Sequence, residues 1–281
     1  MARCEEALAG LRPRTIRENN MHLIFGLGPI GGNIGERLAE LNREVFGFDL
    51  AAARVHEWAA ATNAPASSDL ARVDWSAVDS VIVAVRTADQ VSSVFRSLQE
   101  CCAERPLSVF VVSTLAAEDA RRILPSGPDS WRVFEAPVSG GPHGARHGTL
   151  TTFLSGPVPT DAEERLLADI SGRVFRMRNY GDAATVKLLN NTLGTYNLLS
   201  TAHMLNLAQR AGVPAKDFLE VIRVSSGQSW MSDNFSEVQY DLLLKDVGLL
   251  RGEVGSLPAT DLSGDVEQEI LQARGLLESE A

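Results

Sequence analysis

Residues 22–50, HLIFGLGPIGGNIGERLAELNREVFGFDL, decide the fold. The apolar run HLIF enters a glycine-rich turn, Gly26–Leu27–Gly28–Pro29–Ile30–Gly31. The turn opens onto IGGNIGERLAELN, whose apolar positions recur at three and four as on one face of a helix. A second apolar run, EVFGFDL, follows. Strand, turn, helix and strand in this order make the first crossover of a parallel sheet. G-x-G-x-x-G is a weak motif alone, and its place at a strand–helix junction gives it meaning. The first glycine permits the tight turn, the second lets backbone approach a pyrophosphate, and the third allows close helix–strand packing. The helix N-terminal amides then face the phosphate charge. Asp49 ends the second strand 18 residues after Gly31. A carboxylate there accepts hydrogen bonds from the adenine-ribose hydroxyls and repels a 2′-phosphate, which favours NAD over NADP. Arg54 nearby pulls the other way.

Outward from this unit, SVIVAVR, SVFVVST and WRVFEAP read as further strands, and AARVHEWAAAT, ADQVSSVFRSLQECCAE and AAEDARRIL as the helices between them. Residues 21–180 therefore predict a doubly wound α/β nucleotide-binding domain. Ser113 and Thr114 end the strand SVFVVST at the carboxyl edge of the sheet, where ligands of open α/β folds bind; Thr114 is a candidate cofactor contact. The same hydroxyl pair could equally cap the next helix. After Gly181 the pattern changes: DAATVKLLNNTLGTYNLLSTAHMLNLAQRAG runs about 30 residues without proline and keeps an apolar stripe, predicting one long helix. AKDFLEVIRV, EVQYDLLLKDVGLL and DVEQEILQARGLLE supply three more helical segments, so residues 181–281 predict an all-α domain. Residues 1–20 mix Glu5, Glu6 and Glu18 with arginines and lack a continuous apolar run, which reads as a tail rather than a secretory leader.

A chain of 281 residues suits two packed units. No window approaches the roughly 18 apolar residues of a membrane span. With 26 Lys plus Arg against 36 Asp plus Glu, the net charge of -10 offers no general basic field, which argues against nucleic acid and acidic membranes as partners. Three cysteines, two of them adjacent, fit a reducing compartment such as the cytoplasm rather than a disulfide framework. His143 and His147 stand four apart in a glycine-rich loop, a spacing that does not by itself make a metal site, and none is expected.

EAPVSGGPHGARHGTL, residues 135–150, places Ser139, Gly140 and Gly141 beyond a strand end, where a hydroxyl and bare backbone amides can meet a carboxylate. Lys187 and Asn191 are four apart on the long helix, so both project from one face and can converge on one small molecule. With GLGPIGG, the segments APVSGG and G-A-x-x-G-T-L closely resemble the signature of the β-hydroxyacid dehydrogenase family, which includes 3-hydroxyisobutyrate dehydrogenase and tartronate semialdehyde reductase. Gly181, Lys187, Asn190 and Asn191 in GDAATVKLLNN, and Lys245–Asp246 in LLLKDVGLL, are similar to its third and fourth elements. The resemblance covers about residues 21–250. It implies a Rossmann domain joined by a long helix to an all-α domain for substrate and oligomerisation, commonly a homodimer or homotetramer. Glu135 departs from the usual aspartate, Val238 stands where some members have an aromatic, and the tail beyond Arg251 matches poorly.

What the resemblance implies for chemistry is an NAD-dependent dehydrogenase interconverting a small 3-hydroxy acid and its 3-oxo acid or semialdehyde. Ser139, Gly140 and Gly141 would hold the carboxylate, Lys187 would exchange the hydroxyl proton, Asn191 would orient that hydroxyl, and Lys245 would add positive charge. Two other readings compete: a non-catalytic NAD-binding interaction module on the same fold, and an imine reductase-like enzyme. Retention of Ser139, Lys187 and Asn191 together speaks against the first, and the Pro-Val-Ser-Gly-Gly segment against the second.

Overall fold

Strands and helices alternate from Met21 onward in the computed structural model, which describes residues 21–257 and 266–279. The first half contains β1 (Met21–Phe25), α1 (Gly31–Glu40), β2 (Val45–Phe48), α2 (Ala52–Thr62), β3 (Ala66–Ser67), β4 (Val78–Val83), α3 (Ala88–Cys102), β5 (Leu107–Val111), α4 (Ala117–Ile123) and β6 (Trp131–Glu135). All its strand pairings are parallel, in the order β3-β2-β1-β4-β5-β6. The chain order therefore reverses between β1 and β4, and the crevice at their carboxyl ends is the ligand position of a Rossmann sheet. Both faces are covered. Leu23, Val81 and Val109 pack into one helix layer, and their neighbours Ile24, Ile82 and Phe110 into the other, as the period of two requires. Trp58 locks α2 onto the first crossover: it is buried and its indole N–H donates to Gly32 O at 2.9 Å. A Cβ at Gly35 or Gly47 would stand 2.7 or 2.6 Å from its ring, so both glycines make room for it.

Beyond β6 come β7 (Val138–Ser139), α5 (Gly141–His147), β8 (Leu150–Leu154), α6 (Asp161–Ile170) and β9 (Ser171–Arg176). The three strands form a second sheet, β7-β8-β9, and a bridge between Glu135 and Ser155 joins it to the edge of the first. The five strands expected from the sequence do not include β3, β7, β8 or β9. β9 is largely exposed and carries Arg173 and Arg176, so it lacks the apolar alternation that marks a strand.

The helical half consists of α7 (Asp182–Arg210), α8 (Ala215–Arg223), α9 (Trp230–Asp233), α10 (Tyr240–Val254) and α11 (Val266–Ser279). At 29 residues α7 is about 44 Å long. Its first turn packs Ala184 into the core of the first domain, and its second half packs Leu198, Ala202 and Leu205 against α8, α10 and α11. The long helix starts at Asp182 as expected and ends at Arg210, two residues before the end of the expected segment at Gly212. The tail 1–20, including Cys4, lies outside the described residues.

His22 on β1 shares a 2.7 Å hydrogen bond with Ser80 Oγ. Burial, aided by the Arg43 charge and opposed by Asp169, lowers its pKa to about 4. A folded-state pKa below the unfolded value means that neutral His22 contributes stability above about pH 6.5, lost as pH falls toward 4. The loss is at most about 3 kcal/mol. Thermal melts at pH 7.5 and 5 should therefore differ more in the parent than in His22→Gln; equal differences would refute the assignment.

Candidate active site

The glycine turn has the shape its motif predicts. Gly26 holds φ +103, and a Cβ there would lie 2.4 Å from Ala84 O; one at Gly31 would lie 2.1 Å from Gly26 O. Those two positions are closed by packing. A Cβ at Gly28 would meet nothing within 4 Å, so the turn is open on the side that a pyrophosphate must approach. Ile30 precedes α1 and gives it no side-chain cap; Gly32 N bonds back to Gly28 O at 2.8 Å, and the other first-turn amides are left for an anion. Asp49 is bound into the same turn: Oδ2 accepts from Leu27 N at 2.9 Å and Oδ1 from Ala51 N at 2.8 Å. Arg54 Nη1 lies 3.6 Å from Oδ2. Pro29 is exposed at the rim, and its carbonyl accepts from Asn33 Nδ2.

Ser113 and Thr114 do not cap α4. Ser113 Oγ is buried and accepts from Val85 N at 2.9 Å, which fixes the loop after β4. Thr114 is half-buried beside it. The first amide of α4, Ala117 N, donates instead to Glu253 Oε1, which reaches across from α10. These residues suit a dinucleotide: an open glycine turn, a helix N-terminus and an ordered carboxylate at the end of β2.

The second constellation starts on α7. Lys187, Asn191 and Asp246 are all buried, at 6%, 8% and 3% exposure. Lys187 Nζ donates to Asn191 Oδ1 at 2.8 Å, and Asn191 Nδ2 donates to Asp246 Oδ2 at 2.7 Å. Lys245 Nζ stands 2.7 Å from Asp246 Oδ1. The amide of Asn191 thus presents its oxygen to the lysine because its nitrogen is committed to the carboxylate. Burial lowers the Lys187 pKa to about 8; Asp246 opposes the fall and Lys245 adds to it. Asp246 was foreseen only as the neighbour of Lys245. Its signal is its place among the buried Leu243, Val247 and Leu250 of α10, where a carboxylate needs a partner.

Ser139, Gly140 and Gly141 form the turn from β7 into α5, with φ +120 at Gly140 and +64 at Gly141. Gly141 faces open space, with nothing within 4 Å of a Cβ built on it. Asn190 Nδ2 reaches to 3.5 Å from Ser139 Oγ, the long limit of a hydrogen bond, and joins this turn to α7. Glu135 lies apart from this turn. It is buried, and its oxygens accept from Gly181 N and Ala184 N, each at 2.7 Å. The rings of His143 and His147 lie 4.1 Å apart on the exposed face of α5.

Two family models match the two halves. Residues 23–177 match the NAD binding domain of 6-phosphogluconate dehydrogenase, and residues 181–275 match a domain described as NAD-binding of NADP-dependent 3-hydroxyisobutyrate dehydrogenase. An L-threonate dehydrogenase of Escherichia coli strain K12 is 31% identical over 248 residues, 81% of this chain and 80% of that protein. A 3-hydroxyisobutyrate dehydrogenase of Pseudomonas aeruginosa is 30% identical over 73% of this chain and 70% of its own length. Among solved structures, a 3-hydroxyisobutyrate dehydrogenase from Salmonella typhimurium superimposes with a TM-score of 0.74 at 24% identity, covering 92% of this chain and 95% of that one.

Proposed function

Because the chain belongs to the β-hydroxyacid dehydrogenase family of NAD(P)-dependent oxidoreductases acting on CH–OH groups, we propose that it interconverts a small 3-hydroxy acid and the corresponding 3-oxo acid or semialdehyde, with NAD(H) as cofactor and Lys187 as general acid and base. The observation that carries this reading is a buried lysine, held by Asn191 and brought to a pKa of about 8. A lysine at its ordinary value is a poor base at neutral pH, whereas one near 8 serves in both directions.

When bound, the nicotinamide would supply the hydride acceptor or donor. The turn Gly26–Leu27–Gly28–Pro29–Ile30–Gly31 would hold its pyrophosphate, with Asp49 at the adenine ribose and Thr114 beside the sheet edge. Ser139 Oγ and the Gly140 and Gly141 amides bind the substrate carboxylate and so orient its hydroxyl-bearing carbon. Lys187 takes the hydroxyl proton in oxidation and returns it in reduction. Asn191, its amide fixed by Asp246, holds Lys187 on line. With Lys187 protonated, two ammonium groups face one carboxylate, Asp246, which leaves one positive charge for a monoanionic acid. Acids of about three to five carbons suit this balance better than a sugar phosphate.

Formation of NADH across 3-hydroxyisobutyrate, glycerate, threonate, serine and 6-phosphogluconate tests the proposal, with kcat/KM as the measure of discrimination. Preference for 6-phosphogluconate would overturn the small-acid reading, and no turnover at all would overturn the enzyme reading. Cofactor choice is tested separately. Asp49→Asn removes one repulsive charge and should raise NADP use relative to NAD about tenfold. A parent that already prefers NADP would refute the role given to Asp49. The same reading takes the protein as cytoplasmic and as a homodimer or homotetramer; the exposed row Leu189, Leu193, Met204 and Leu207 on one face of α7 supports the self-association.

A further inference from the structure

A helix that begins without a side chain of its own to cap it needs another acceptor for its first amides. α7 begins in this way: Gly181 at its N-cap carries no side chain. Glu135, the last residue of β6 and 46 residues earlier in the chain, supplies both missing bonds. One oxygen takes Gly181 N, at the N-cap, and the other takes Ala184 N, two residues further into the helix than its first member, Asp182. In an ordinary capping box a cap hydroxyl takes the third helical amide while a Glu at that third position reaches back to the cap amide. Here a single carboxylate from another element does both.

Its position along the chain makes this more than a cap. Glu135 lies four residues before Ser139, and Ala184 three before Lys187, on the same helix face as Lys187 and Asn191. The two segments that the substrate must bridge therefore start from one pair of hydrogen bonds, and they meet again where Asn190 approaches Ser139. We propose that Glu135 is a positioning residue, which sets the spacing between the Ser139–Gly141 turn and Lys187 by anchoring the first turn of α7 to the end of β6. It touches neither substrate nor cofactor. The inference rests on the proposed function only for its kinetic consequence; the anchoring itself is independent of the substrate.

Glu135→Gln keeps the size and reach of the side chain but turns an N–H against one of the two amides. In the presence of saturating substrate, kcat should fall about 10- to 100-fold, because a misplacement of the order of 1 Å between reacting groups costs that much. The KM for NAD should hold, and the primary deuterium isotope effect on kcat should rise as hydride transfer becomes slower than the other steps. Glu135→Asp, with two acceptor oxygens on a shorter arm, should recover part of kcat. Tyr180→Phe is the structural control: Tyr180 Oη donates to Val133 O at 2.8 Å, which ties the same two segments without touching the first turn of α7. It should lower Tm and leave kcat and the isotope effect unchanged. A folded Glu135→Gln with parental kcat and isotope effect overturns the proposal, as does a Tyr180→Phe that loses as much kcat as Glu135→Gln.

If the parent turns over none of the hydroxy acids, the proposed function fails by itself. Amide hydrogen exchange of residues 181–191 then decides the anchoring: faster exchange in Glu135→Gln but not in Tyr180→Phe supports it, and unchanged exchange overturns it.

Discussion

Lys187→Ala is expected to lower kcat about 10²-fold to 10⁴-fold while the affinity for NAD stays within a factor of a few. The two effects separate because Lys187 lies on α7 and the glycine turn lies between β1 and α1. The pH profile gives a second reading of the same residue. In the oxidative direction the lysine must be neutral to accept a proton, so kcat/KM should rise with pH through about 8 and level off; in the reductive direction it should fall over the same range. Both limbs should flatten in the alanine variant. Lys187→Met keeps most of the volume without the amine and separates loss of proton exchange from loss of packing. Initial rates from pH 6 to 10, with NAD binding followed by quenching of protein fluorescence, make the test. An alanine variant within a few-fold of the parent rate, or one that keeps the parental pH profile, would remove Lys187 from the mechanism.

The parts of the molecule that were legible in advance are those written in local pattern. The strand–turn–helix at residues 21–40 and the long helix from Asp182 to Arg210 both follow from periodicities of two and 3.6. Lys187 and Asn191 could be placed together for the same reason, since a separation of four fixes a common helix face. What escaped is nonlocal. β9 reads as polar because it is mostly exposed, and its strand character comes from pairing with β8. Ser113 has the residue type of a helix cap, yet α4 starts after Ala116, and the Ser113 hydroxyl serves the β4 loop while Glu253 takes the first amide of α4 from the other domain. Glu135 lies beside the substrate turn in the chain, four residues before Ser139. Its side chain leaves β6 toward α7 instead, and nothing within a window of ten residues records that partner.

Asp246→Asn is the sharpest test of the buried group as a unit. The side chain keeps its shape but loses its charge, with two consequences of known sign. Asp246 raises the Lys187 pKa and Lys245 lowers it, so removal of the carboxylate leaves both remaining influences, burial and Lys245, acting downward. The midpoint of the oxidative pH profile should therefore move below about 8, toward more acid conditions. The second consequence is geometric. Asn191 Nδ2 donates to Asp246 Oδ2, and Lys245 Nζ is paired with Oδ1. An asparagine offers one acceptor oxygen for these two donors, and its amide nitrogen must face one of them. If that oxygen goes to Lys245, the Asn191 amide is free to turn, and Lys187 loses the acceptor that aims it. The expected cost is about 10²-fold in kcat, with little change in the affinity for NAD. A change in charge alone would shift the pH midpoint and leave the plateau rate intact; a change in alignment alone would lower the plateau at a fixed midpoint. Both together are expected, because Asp246 is the one member of the group that bonds to Asn191 and pairs with Lys245. A plateau rate and midpoint equal to those of the parent would mean that the buried carboxylate serves the packing of α10 on α7 and not the chemistry at Lys187.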